Sequence, residues 1–300
     1  MTVATAQFAV MGSTAMVALD GPAALLRVAR QRLEDLEHKW SRFRRDSEVS
    51  RLNRARHPLR VSADTRRLLA CAAAAWHHTE GVFDPTVHDA LLAWGYDRDL
   101  GTIDLPPAPT RLTPAPGLAS VVVDDHAGTA DLGGVSFDPG GIGKGLAADI
   151  VATELVGAGA AASLVDVGGD LRVAGEPPGQ GWPIGVEDPL EPARDLVRMH
   201  LRGGGVATSS NRRRRWRNAT GAEVHHLVAP STGAPASVAL AGVSVLAGEA
   251  WWAEALTKAV LVGGFDAQRL AAAGASAIGR ARGGGLVGTP DLLELARAAA

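Results

Sequence analysis

The chain has 300 residues, enough to bury one large core or two smaller ones. A formal net charge of -2 argues against a general nucleic-acid binder, and the basic run Arg212–Arg215 is too short to reverse that. One cysteine, Cys71, excludes an intramolecular disulfide framework and any multi-cysteine metal site.

Taken in chain order, Gln7–Leu19 alternates apolar with small residues and reads as a strand interrupted at Met11-Gly12. Pro22–Phe43 predicts a helix, with Leu25, Leu26, Ala29, Leu33, Leu36 and Trp40 on one stripe. Asp46 or Ser47 is placed to cap a short helical turn within Ser41–Asn53. Ser62–Glu80 is a second, Ala-rich helix that buries the Cys71 thiol. Asp84-Pro85-Thr86 is a turn leading into a third helix through Trp94, and the Pro-rich stretch Gly101–Gly117 reads as a surface loop. Val121–Asp124 is a strand, followed by a hairpin-like turn at Leu132-Gly133-Gly134.

Val135–Ile150, VSFDPGGIGKGLAADI, predicts a strand ending in Asp138, a tight turn, and a helix opened by Lys144 and running on to Gly157. Glycines at 140, 141, 143 and 145 leave backbone groups open to a polar ligand. A helix start and one lysine add positive potential, which suits a phosphate or pyrophosphate. The spacing matches neither a Walker loop nor G-x-G-x-x-G, so by itself the stretch equally suits a plain strand-to-helix joint.

Ala162–Val167 and Leu171–Ala174 form a predicted hairpin around Gly168-Gly169-Asp170. Trp182–Glu187, Leu196–Leu201 and Gly205–Ser209 are expected to extend the sheet, with further strands at Glu223–Val228 and Ala239–Ala247. Glu249–Val262 and Leu292–Ala300 are helices. The expected fold class is α+β: one domain over residues 1–300, its largely antiparallel sheet flanked by helices. No segment approaches the roughly 18 uninterrupted apolar residues of a membrane span. The N-terminus shows neither a signal-peptide pattern nor a lipid-bearing cysteine, so the expectation is a soluble cytoplasmic protein.

Seven stretches, in order from about residue 8 to about residue 265, resemble the ApbE-type flavin transferases, or FAD:protein FMN transferases. They are Met11-Gly12-Ser13, Phe43–Asn53, Gly81–Thr86 with Trp94-Gly95-Tyr96, Asp138–Gly145, Asp166–Asp170, Ala207-Thr208-Ser209, and His225–Gly233. The resemblance implies a T-fold-like core and an FAD held with Mg²⁺ at its pyrophosphate. The FMN half is passed to a threonine hydroxyl of a partner protein, and AMP is released. By family position Met11, Phe43, the backbone of Val82, Phe83 and Asp84, and Asp138, Lys144 and Val228 line the FAD site. Phe43 would stack on the isoalloxazine or adenine ring; read from the residues alone, Phe43 and Phe83 are ordinary core. His226 falls where the family places a histidine that helps deprotonate the acceptor threonine, a task that suits a neutral imidazole. Without the resemblance, a lone histidine in a strand is structural.

The metal positions depart from the family pattern. Gly141 matches a backbone-carbonyl ligand, but the final motif, usually Ala-Asp-Ala-Leu-x-Thr-Ala, reads AEALTKA over Ala253–Ala259. Glu254 keeps a hard carboxylate oxygen suited to Mg²⁺. Lys258 replaces the threonine ligand, and an ammonium has no lone pair to offer a metal. Thr257 offers a hydroxyl one position earlier. Ala229 stands where the family usually has aspartate, and Ser210 where it has glycine. These changes point to a site rebuilt around Lys258 as a fixed cation, paired with Glu254 one helical turn before it. The expected function is FMN transfer from FAD to an acceptor protein. An FAD-binding protein without transfer and an FAD pyrophosphatase are the alternatives.

Overall fold

The alternation at the start of the chain becomes a hairpin, not one interrupted strand. Val3–Val10 pairs antiparallel with Ser13–Asp20, and Met11 and Gly12 turn the chain with φ of 53° and 63°. Two left-handed residues are what a two-residue hairpin loop needs to follow the strand twist. In the computed structural model, which describes residues 3–98, 106–212 and 214–298, this hairpin begins a mixed α/β fold. Two compact units appear: Met1–Glu37, Ile142–Ser210 and Ala239–Ala300 form one, and His38–Gly141 with Asn211–Val238 form the other.

The first unit is built on an eight-stranded antiparallel sheet among the described residues. Beside the hairpin its order runs Ala162–Val167, Asp170–Gly175, Gly204–Ser210, Leu240–Ala247, Ser276–Ala281 and Leu286–Gly288. Trp182–Glu187 and Asp195–Leu201, expected in this sheet, instead pair with each other as a separate ribbon. Trp182 and Ile184 of the ribbon pack on Leu164, Leu171 and Val173 of the sheet. A strand with one buried face looks the same in sequence whether it extends a sheet or lies across it.

Two helices, Gly143–Gly157 and Ala250–Gly263, pack on the sheet and on each other. Leu146, Ile150 and Leu155 of the first and Ile142 just before it are buried, as are Leu256, Val260 and Leu261 of the second. The Asp149 carboxylate joins them, accepting N–H bonds from Ala250 at 2.9 Å and Trp251 at 2.8 Å. One helix thereby caps the start of the other, satisfying amides that have no partner within their own helix. Burial pushes the Asp149 carboxyl up to about 6 against those two bonds and the nearby Arg172. A raised folded value means that ionising Asp149 costs stability as pH rises through that value.

In the second unit the expected cap is Ser47, whose hydroxyl accepts the Ser50 N–H at the start of Glu48–Arg54. Ser62 does the same for Thr65 at the head of Ala63–His78. A three-stranded sheet orders Leu59–Arg60, Thr129–Asp131 and Val122–Asp124. Its hairpin turn falls at residues 125–128, not at Leu132-Gly133-Gly134, which follows the second strand. Val135–Asp138 forms no strand, and the helix after it begins at Gly143. Arg215–Arg217, which starts at the end of the basic run, pairs with Glu223–His225, and its Trp216 turns inward while its neighbours face out. Of the Pro-rich stretch, 101–105 lie outside the described residues and 106–117 carry neither helix nor strand. Arg213 and residues 299–300, the end of the expected helix Leu292–Ala300, also lie outside them; the described helix is Pro290–Ala298. Among the described residues, no helix is long and apolar enough to cross a membrane.

Candidate functional site

In the first unit, charges gather where the two packed helices begin. Lys144 sits in the first turn of Gly143–Gly157, where its ammonium pairs with the fully buried Asp170. It also lies 3.4 Å from Glu254 Oε1. Lys258, one turn after Glu254, donates to the same oxygen at 3.3 Å, and both lysine side chains are largely buried. Glu254 Oε2 accepts the Gly145 N–H at 2.8 Å. Burial opposes charge on Glu254, but Lys144, Lys258 and the Gly145 amide outweigh it and hold the carboxyl below its ordinary range. Asp166 is pushed the other way by burial, partly offset by the Gly169 N–H and by Lys144.

The open backbone expected at Gly145 is closed. Its N–H goes to Glu254, and a Cβ there would lie 2.6 Å from the Ala250 carbonyl carbon and 2.8 Å from the Trp251 nitrogen. This glycine lets two helices touch. In the second unit Gly140 donates its N–H to Asp138 Oδ1 at 2.7 Å, closing a second backbone donor of the loop within the loop itself. Met11, in the first unit, donates its N–H from the hairpin turn to Glu37 Oε1 at 2.8 Å.

In the second unit Arg42 organises the predicted residues. Its guanidinium carbon stands 4.3 Å from the Phe43 ring centre and 4.4 Å from that of Tyr96. Its Nη1 donates to the Tyr96 carbonyl at 2.7 Å, and its Nε lies 3.4 Å from Asp138 Oδ2. Tyr96 continues to Trp216, with ring centres 5.4 Å apart, and Val228 packs in the same cluster. Phe43, Asp138 and Val228 are thus brought together through Arg42 and Tyr96, neither of which the sequence marked as a site residue. Phe43 is 47% exposed, so it is not the core residue that composition alone suggests. Phe83 is core, with its N–H donated to Thr79 Oγ1 at 3.0 Å, while the half-buried Val82 donates to the Thr79 carbonyl at 3.0 Å.

The Asp84 carboxylate is used by its own turn. It accepts the Thr86 N–H and hydroxyl at 2.8 and 2.6 Å and the Trp76 indole N–H at 3.2 Å. Burial raises it, against those hydrogen bonds. His226 lies just past the strand Glu223–His225, which ends before the expected Val228, and donates its backbone N–H to the Arg214 carbonyl at 3.3 Å. Ala229 opens a tight turn: its N–H goes to Ala234 O, and its carbonyl receives Thr232 and Gly233. Ser210, in the first unit, donates its hydroxyl to Ala241 O at 2.8 Å.

Comparison with known proteins supplies the family. Residues 11–278 match the model of the ApbE family. The chain belongs to the ApbE family. A curated relative, the FAD:protein FMN transferase of Haemophilus influenzae, is 30% identical over 247 residues, covering 78% of this chain and 71% of that protein. The Vibrio cholerae protein of the same name is 27% identical over 240 residues, covering 78% and 72%. In structure, the ApbE protein of Thermotoga maritima aligns with a TM-score of 0.86 and 26% identity over 99% of this chain and 100% of that one. The apo form of the flavinyl transferase ApbE of Pseudomonas stutzeri aligns with a TM-score of 0.80 and 28% identity, covering 98% and 96%.

The ApbE resemblance implies Mg²⁺, and the donor set of this chain does not fit it. Glu254 shares one oxygen with two ammoniums and gives the other to an amide. Thr257 donates its hydroxyl to Glu254 O at 2.7 Å and lies 2.7 Å from Ser209 Oγ. Gly141 ends the 3-10 turn Pro139–Gly141. Asp170 Oδ1 is buried without a hydrogen-bond partner, but it belongs to a carboxylate already paired with Lys144. Among the described residues, no group of three or more His, Cys, Asp or Glu is placed to hold a metal. A hard cation of this kind wants several free oxygens, not ones already held by cations. Asp170 and Ser209 fell within recognised motifs, yet nothing in their spacing showed that one would neutralise Lys144 and the other engage Thr257.

Proposed function

We propose that the protein is an FAD:protein FMN transferase. What carries the reading is the family match over residues 11–278 together with relatives of that name that each cover 78% of this chain. The acceptor threonine Oγ attacks the FMN phosphorus of FAD, the bridging P–O bond breaks, and AMP leaves. His226 takes the hydroxyl proton, Phe43 stacks on a flavin or adenine ring, and Met11, Val82, Phe83, Asp84, Asp138 and Val228 complete the FAD site. Lys144 contributes positive charge towards the pyrophosphate while tied to Asp170 and Glu254. The acceptor is a protein, and the setting we assign is the cytoplasm.

Incubation with FAD and a threonine-bearing flavinylation substrate, followed by intact-mass measurement, tests this directly. The expected product is substrate carrying FMN, with AMP released one for one. FMN and AMP appearing with unmodified substrate would make the protein a pyrophosphatase, and bound, intact FAD would make it a carrier.

Arg42 gives a second test. Replacing it with leucine removes the cation between Phe43 and Tyr96 and the partner of Asp138. A charged hydrogen bond contributes about 1.5–3 kcal/mol, so FAD affinity should fall roughly ten- to hundredfold. Fluorescence titration reads this, and an unchanged affinity would remove Arg42 from any role in shaping the site.

A further inference from the structure

We infer that Lys258 and Lys144 together take the place of a divalent cation at Glu254, so that this protein binds FAD without Mg²⁺. The inference deepens the transferase reading and rests on it for the identity of the ligand.

The argument starts from Glu254, which is fully buried and lies between two ammoniums at 3.3 and 3.4 Å. Its second oxygen is bound by the Gly145 amide. A metal entering this carboxylate would have to displace a lysine, leaving a buried ammonium short of its counter-charge. Neither lysine can move far. Lys258 is on the same helix as Glu254, and Lys144 is held from a different helix by Asp170. Thr257, the hydroxyl next in line as a ligand, is committed to Glu254 O and Ser209. Two fixed ammoniums carry the same charge as one Mg²⁺ and need no chelation. Lysine serves well here because it acts as a compact point charge.

The decisive measurements use the native protein. Flavin-fluorescence titration with FAD is run in EDTA and in excess Mg²⁺, and Mn²⁺ binding to the FAD-free protein is followed by electron paramagnetic resonance. We expect the two FAD dissociation constants to agree within about twofold and no stoichiometric Mn²⁺ binding. Lys258→Thr removes one ammonium and adds a hydroxyl. This variant should bind Mn²⁺ and take up FAD about tenfold more tightly with Mg²⁺ than without. One tightly bound Mn²⁺ per native chain, or a gain of about tenfold in native FAD affinity on adding Mg²⁺, would overturn the assignment. These native measurements decide it even if the variant does not fold. Failure to bind FAD under either condition would count against the transferase reading, and the Mn²⁺ titration would still decide whether lysine has displaced the metal.

Discussion

Glu254→Gln should destabilise the first unit severely, by about 3–5 kcal/mol, because it leaves two buried ammoniums with one fewer counter-charge. The substitution keeps the size of the side chain, so the loss reports charge and not packing. Lys144 also pairs with Asp170, and Lys258 lies 3.3 Å from Glu254 Oε1. Urea unfolding followed by tryptophan fluorescence measures the change; a loss below about 1 kcal/mol, the scale of an exposed pair, would mean that the cluster is solvated. The pH dependence carries a sign that can be checked. The folded carboxyl of Glu254 lies below its ordinary value. Its stabilisation is therefore present above that ordinary value and is lost as pH falls through the lowered one. Glu254→Gln should show a flatter stability profile across that acidic window.

Gly145→Ala is the second large effect, and it acts through shape alone. The added methyl would fall within 2.8 Å of the Ala250 carbonyl carbon and the Trp251 nitrogen, both of them backbone atoms. A side chain could swing away, but the start of a helix held by Asp149 cannot. Overpacking of this kind costs about 1–3 kcal/mol, and the rigid neighbours place it at the upper end or beyond. Thermal unfolding should show the loss. The shift should also disturb the Gly145 to Glu254 hydrogen bond, so any FAD affinity should fall with stability. Gly140→Ala is the control. Its methyl would meet the Asp138 carboxylate, an end that can rotate, and the stability loss should be smaller. Equal losses for the two variants would refute the helix-contact account of Gly145.

Local pattern alone was enough for much of this protein. A cap at Asp46 or Ser47 was legible because a short polar side chain at a helix start can satisfy a free amide, and the structure uses Ser47. The helix expected over Pro22–Phe43 followed from three- and four-residue spacing and is observed as Leu25–Trp40. Those expected over Ser62–Glu80 and Glu249–Val262 are observed as Ala63–His78 and Ala250–Gly263, and the hairpin at Gly168-Gly169 followed from its glycines. The pairing of Lys258 with Glu254 was visible too, since one helical turn brings the two side chains together.

Long-range contacts decided the rest. Lys144 and Asp170 are 26 residues apart, and Gly145 and Glu254 are 109 apart. No local pattern could show that the loop read as open to a ligand would spend its glycine on a neighbouring helix and turn its lysine towards two buried carboxylates. The Trp182–Glu187 ribbon was misplaced for a related reason, because alternation reports that one face is buried but not which layer covers it. Arg42 carried no site reading in the sequence, and only folding set Tyr96 and Asp138 around it. Spacing in the chain governs which side chains share a face of one element; which charges meet across elements is settled by packing, because only a closed core removes the water that would otherwise keep them apart.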